Sequence, residues 1–176
     1  MDLILGGSLN GAAAQVMYGL EGRRKDVPMI LPVVAGLKEI VRKGRDFPWP
    51  RPDECPQCHG PRLWGHGVVC AIFDGVAGHV LLRRFRCPDC GCVVRLRPEG
   101  YFKRFQASVS TIRSRIVYRL ANGRWMSGMS RSRQWYWLNN LFKRVVAHQG
   151  LDWKDRLIRC FDDFVEKGRN PVSRLR

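Results

Sequence analysis

Three observations predict an α+β fold. Paired Cys-x-x-Cys motifs, Cys55/Cys58 and Cys87/Cys90, frame a stretch rich in strand-forming residues. From Val109 onward the apolar period changes to that of amphipathic helices. Glycines and prolines fall between these runs, where turns and caps are needed. The architecture expected is a small three-stranded ribbon clasped by metal, followed by a helical domain, with a helical extension in front. The boundaries read as 1–45 for the extension, 46–53 for a Pro-rich linker, 54–100 for the ribbon, 101–168 for the helical domain and 169–176 for a basic tail.

The extension is the least defined part. Residues 1–26 are rich in glycine and alanine, with a short helix expected at 12–20 and a solvated basic turn at Gly22-Arg23-Arg24-Lys25. Pro32 is placed to open a second helix at its first position. Val33, Val34, Leu37, Ile40 and Val41 would share one face of it, and Gly44 would end it. Such a helix either packs on the body of the protein or docks a partner protein. Asp46-Phe47-Pro48-Trp49-Pro50-Arg51-Pro52 reads as a stiff extended linker, because three prolines in five residues exclude regular structure. Trp49 would either pack on the ribbon or stand exposed as an anchor.

Within the ribbon, 63–73 reads as a first strand, with turn chemistry from Asp74-Gly75 to Gly78. Residues 80–86 return to Cys87, and 93–97 form a third strand ended by Pro98-Glu99-Gly100. Each cysteine pair carries a proline between its members and a glycine close behind. The 28 residues between Cys58 and Cys87 suffice for a hairpin. Two such turns present four thiolates to one tetrahedral ion, a donor set that suits Zn²⁺. Cys55, Cys58, Cys87 and Cys90 are therefore the expected ligands, with Cys92 or His59 as possible substitutes. The same spacing also resembles rubredoxin, an iron electron-transfer protein, although rubredoxins are small and acidic. A disulfide framework and a redox Cys-x-x-Cys lack the surrounding pattern that each requires. Neither His59 nor His66 belongs to the His-x-Glu element of a zinc deaminase, and no catalytic residues are expected. His66 and His79 are read as ordinary strand histidines, and Cys70 and Cys160 as small buried hydrophobes.

In the helical domain, Ser108 is a candidate cap for a helix whose apolar side is Val109, Ile112, Ile116, Val117 and Leu120. Asn122-Gly123 ends it. Ser130 would cap a long helix to about His148, apolar along Trp135, Leu138, Phe142, Val145 and Val146. Its polar side would be Ser132, Arg133, Tyr136, Asn140, Lys143 and Arg144. After Gly150 and an Asp152 cap, a last helix over 153–167 would bury Leu157, Ile158, Phe161, Phe164 and Val165. Gly168 closes it and leaves a mobile tail.

The formal net charge is +16. Between Arg83 and Arg144 there are fifteen Lys or Arg residues against two acidic ones, Asp89 and Glu99. Arginine predominates, and its planar fork matches phosphate oxygens and guanine edges. A polyanion partner is expected, nucleic acid before a membrane, since no apolar run approaches the length of a bilayer span. Arg83, Arg84, Arg86, Arg95 and Arg97 are candidate phosphate contacts. The two helices around Asn122-Gly123 read either as a helix–turn–helix or as a plain helical hairpin. In the first case Arg131, Ser132, Arg133, Gln134 and Tyr136 would face bases, with Arg115, Asn140, Lys143 and Arg144 as further contacts. Duplex DNA is favoured on this reading. The alternative is an RNA-binding subunit of a ribonucleoprotein, with Tyr101, Phe102 and Trp125 stacking on unpaired bases. Asp2 stands where the positive region of an export signal belongs, so a cytoplasmic protein with reduced thiols is expected.

The runs CPQCHGPRLWGHG, LLRRFRCPDCGCVVRLRP and GMSRSRQWYWLNNLFKR resemble the zinc-ribbon plus helix–turn–helix region of bacterial transposon-encoded proteins. The resemblance spans about Cys55 to Arg144. It implies zinc on Cys55, Cys58, Cys87 and Cys90, and a recognition helix opening at Arg131 to Tyr136. No acidic triad of a transposase catalytic domain is visible. The resemblance therefore implies an accessory or targeting protein of a mobile element rather than an enzyme.

Overall fold

The computed structural model describes residues 29–149 and 156–175. The expected helix at 12–20 lies outside them, as do Gly150, Asp152 and Trp153. The described chain is α+β, with a four-stranded sheet and four α-helices. The strands are β1 (Met29–Val33), β2 (Trp64–Ala71), β3 (Val80–Arg86) and β4 (Val93–Pro98). The helices are α1 (Leu37–Lys43), α2 (Val109–Asn122), α3 (Arg131–Gln149) and α4 (Leu157–Glu166). No described helix is long and apolar enough to cross a membrane.

The sheet has four strands where three were expected, in the order β1-β4-β3-β2. The added strand is β1, which pairs parallel with β4, Leu31 opposite Leu96 and Pro32 opposite Arg97. Pro32 thus sits in an edge strand, where a missing N–H is tolerated, and does not open a helix. Helix α1 begins only after Gly36 and runs seven residues. Ile40 is its one buried residue, while Val34 and Val41 are exposed, so the expected five-residue apolar face is not formed. Local pattern favoured a helix here; pairing with a strand more than sixty residues away decided otherwise.

The Pro-rich segment is strapped to the body. The Arg51 guanidinium donates to the Leu63 carbonyl, and half-buried Trp49 packs into both apolar clusters of the sheet half. Strands β2 and β3 are antiparallel, with a bulge between Gly65 and Val68 where Gly67 takes φ 72°. Strands β3 and β4 pair over three residues only, Arg84 with Arg95, Phe85 with Val94 and Arg86 with Val93.

The helical half follows its local signals closely at the ends of α2. The Ser108 hydroxyl accepts from the Thr111 N–H at 3.1 Å, and Gly123 turns left-handed with its N–H on the Arg119 carbonyl. Helix α3 spans nearly the expected residues but buries another stripe. Gln134, Trp137, Asn140, Leu141 and Val145 are inside, whereas Trp135 is 55% and Phe142 44% exposed. Two apolar stripes overlap on this helix, and packing against α2 and α4 selected the one through Trp137 and Leu141. Buried Gln134 and Asn140 are bonded internally. The Gln134 amide donates to the Met126 and Met129 carbonyls, and the Asn140 amide to the Tyr136 carbonyl.

Helix α4 buries Leu157, Phe161 and Phe164 of the expected face together with Cys160, while Ile158 and Val165 are only half-buried. The segment after Gly168 is docked and not a free tail. Val172 is fully buried, and Arg144 donates to the Ser173 carbonyl at 3.1 Å and hydroxyl at 2.9 Å. Trp137 lies at the centre of this core. Replacing it with alanine should cost about 3–5 kcal/mol in denaturant unfolding, the usual penalty for removing a large buried aromatic.

Candidate metal centre and basic sheet face

Two turns of the same construction build the cysteine site. In the first, the His59 N–H bonds the Cys55 carbonyl at 2.8 Å, and the Cys55 N–H bonds the Gly60 carbonyl at 2.9 Å. In the second, the Gly91 N–H bonds the Cys87 carbonyl at 3.0 Å, and the Cys87 N–H bonds the Cys92 carbonyl at 2.9 Å. The residue after each second cysteine is left-handed, His59 at φ 57° and Gly91 at φ 73°. This conformation curls the chain back so that both cysteines of a turn face the same point. For an L-residue it costs about 1–2 kcal/mol, which Gly91 avoids. Gly91→Ala should therefore lower the stability of the metal-loaded protein by about 1 kcal/mol, and Gly91→Asn by less, as read by thermal melting.

Superposing the turn roles puts Cys92 where Gly60 stands, outside the ligand positions. Cys55, Cys58, Cys87 and Cys90 instead come together, their sulfur atoms all within 4.8 Å of one another. Cys55 and Cys90 are 3.6 Å apart, as are Cys58 and Cys87. A tetrahedral ion with metal–sulfur bonds of roughly 2.3 Å sets sulfurs about 3.8 Å apart, so the four donors fit one ion. His59 is held away by Glu54, with Nδ1 3.2 Å from the carboxylate. An Arg62–Asp89 ion pair of 3.1 Å ties the two turns together. Cys70 is exposed on β2 and contributes to no core, contrary to expectation; Cys160 is buried as expected.

The thiols influence one another strongly. Burial pushes Cys55 up, but the Gln57 and Cys58 backbone N–H groups and the neighbouring thiols outweigh it and bring it to about 7. At Cys58 the Gly60 N–H favours the thiolate, yet the thiols of Cys90, Cys87 and Cys55 together with burial drive it to about 12. Burial is the leading cause holding Cys90 up. The Cys55 thiolate is thus favoured, while burial and thiol hydrogen bonds suppress those of Cys58 and Cys90. A divalent cation at the common point would reverse that balance and release the protons. The sheet encloses the site from one side, since Phe85, Val94 and Leu96 pack with Leu63, Cys55 and Cys87.

At the cysteine end the opposite face of the same paired strands is basic; farther along β3 that face carries Val80 and Leu82, buried with Ile40 and Phe73. Alternation places Arg84 and Arg86 away from Phe85, and Arg95 away from Val94. Arg84 and Arg95 are directly opposite across β3 and β4. The Nε atoms of both are buried without a hydrogen-bond partner in the protein. No ion pair to a carboxylate is formed by Arg84, Arg86 or Arg95 among the described residues. Trp64 is the β2 partner of Arg86 and is 59% exposed. It was not singled out from the sequence, although a tryptophan at the start of a strand whose hairpin partner ends in Arg83-Arg84-Phe85-Arg86 was the signal there.

Other expected contacts are engaged inside the protein. Arg97 is buried over the Phe73 ring, 4.8 Å from its centroid, and donates to the Phe105 carbonyl. Arg83 lies on the cysteine side, 5.9 Å from the Phe85 ring centroid. Arg115 braces the α2–α3 loop through the Met126 carbonyl. Arg133 pairs with Asp74 at 3.0 Å and covers Trp137. Gln134 and Asn140 are buried, Tyr136 lies beneath Arg174, and Arg144 holds Ser173. Of the α3 candidates, Arg131, Ser132 and Lys143 remain exposed. Tyr101 packs on Phe73, Phe102 on Phe105, and Trp125 under Arg119.

Fold and site together define an α+β protein with a four-cysteine cluster able to hold a metal ion. Compared with protein-family models, curated proteins and solved structures, the chain matches none.

Proposed function

We propose that this chain is a nucleic-acid-binding protein built around a structural zinc ion. Four converging thiolates favour zinc over harder cations, and they fill a tetrahedral ion without an open position for chemistry. The reading is accordingly a binding role and not an enzymatic one. A rubredoxin-like iron site uses the same four sulfurs; colourless protein with one zinc per chain excludes it.

The observation that carries the binding role is the Arg84–Arg95 pair. Like charges opposite each other across a ladder destabilise a sheet. Among the described residues no carboxylate offsets them. Phosphate oxygens would supply the missing opposite charge. The test is binding of zinc-quantified protein to duplex DNA, single-stranded DNA and structured RNA across a salt series. Affinity that falls steeply with salt supports the reading, and micromolar protein that binds none of the three ends it.

A narrower role, an accessory or targeting protein of a mobile element gripping duplex DNA through α2 and α3, draws support from exposed Arg131 and Ser132. It has less support than the sheet face, because Gln134 and Asn140 point inward and Arg133 is paired. Recruitment of a partner protein by α1 belongs to that role.

A further inference from the structure

We infer that the sheet face bearing Trp64, Arg84, Arg86 and Arg95 binds unpaired nucleotides, with Trp64 stacking on a base while the three arginines hold the flanking phosphates. The inference rests on the nucleic-acid reading above and narrows its substrate to single strands.

Three strands assemble this surface. Trp64 pairs with Arg86 on β2 and β3, and Arg84 pairs with Arg95 on β3 and β4. Arg84 and Arg86 are two residues apart on one strand, so all four side chains leave the sheet on the same side. That side is opposite the one on which Phe85 and Val94 pack with Cys55 and Cys87. The metal centre therefore supports the platform from behind without occupying it.

The chemistry of the patch selects its ligand. Arginines at adjacent strand positions without carboxylate partners among the described residues call for a polyanion. An exposed indole beside them offers a flat apolar surface, which duplex DNA cannot use because its base faces are stacked on one another. Unpaired bases present that face to an aromatic side chain, and their backbone supplies phosphates nearby. The candidate aromatics elsewhere are less suited, since Tyr101, Phe102 and Trp125 are covered by Phe73, Phe105 and Arg119.

The test compares the full-length, zinc-loaded protein with Trp64→Ala, Trp64→Phe and an Arg84→Gln/Arg95→Gln double variant. Oligo-dT, oligo-U and a mixed-sequence duplex of equal length are the probes, titrated across a salt series. Trp64→Ala should lose about tenfold in affinity for the single strands with an unchanged salt slope, and little for the duplex. Trp64→Phe should retain most of the affinity. The double variant should flatten the salt slope for every probe. Equal affinity of Trp64→Ala and the unaltered protein for oligo-dT and oligo-U overturns the inference, as does an equal loss on single strands and duplex. In either case the nucleic-acid reading survives if the unaltered protein binds. Failure of the unaltered protein to bind any probe removes both. Unaltered zinc content and melting of Trp64→Ala verify that the exposed substitution has not disturbed the fold.

Discussion

Cys87→Ser should lose its metal and unfold the sheet half of the protein. Cys87 and Cys55 are fully buried within the cluster that contains Phe85, Val94 and Leu96, so the ligands are also core residues. Structural zinc in small peptides contributes on the order of 10–16 kcal/mol, comparable to the entire stability of a domain. A thermal melt monitored at the strand signal should lose its main transition. The helical half has a separate core around Trp137, Leu141 and Phe161, so helical circular dichroism should persist at lower temperature. Chelation of the unaltered protein should reproduce the effect. Acidification should as well, because protons compete with the metal for thiolate sulfur and affinity falls as pH falls. An unchanged melt for Cys87→Ser, with zinc retained, would mean that the site does not organise the sheet.

The Arg84→Gln/Arg95→Gln variant should move stability and binding in opposite directions. Removing two like charges that face each other across β3 and β4 should raise unfolding stability by about 0.5 kcal/mol. The same change should weaken nucleic-acid binding and reduce the magnitude of the salt slope by roughly two, one for each phosphate contact removed. Such a trade, stability gained for function lost, is the behaviour of a site shaped for a ligand. A variant that is less stable would show that the arginines serve the fold. A stable variant with unchanged affinity and slope would show that nucleic acid does not use this face.

Much of the cysteine site was legible because its determinants are local. Each turn spans six residues, and proline and glycine near the cysteines announce it. The two ends of α2 were equally legible, since Ser108 and Gly123 act on backbone groups within one turn. Ambiguity began where two local readings were equally good. The residues Met29–Val33 suit an edge strand as well as the start of a helix, and Trp135 and Trp137 each anchor an apolar stripe on α3. Gln134, an expected base contact, and Asn140, an expected further contact, looked polar and therefore external. Both are buried in the stripe through Trp137 and Leu141, where the Met126 and Met129 carbonyls of the α2–α3 loop accept from Gln134 and the Tyr136 carbonyl one turn back accepts from Asn140.

What the sequence by itself determined was therefore the short-range part: four cysteines in two turns, the β2–β3 hairpin, the ends of α2, the apolar face of α4 and the excess of arginine. Backbone dihedral preferences and side-chain periodicity act over a few residues and need no tertiary context. The tertiary structure alone decided which strand completes the sheet, which stripe of α3 is buried and which arginines stay unpaired. Those outcomes depend on groups far apart in the chain. Arg133 finds Asp74 and Arg97 finds Phe73, whereas Arg84 and Arg95 stand opposite each other and pair with no carboxylate among the described residues.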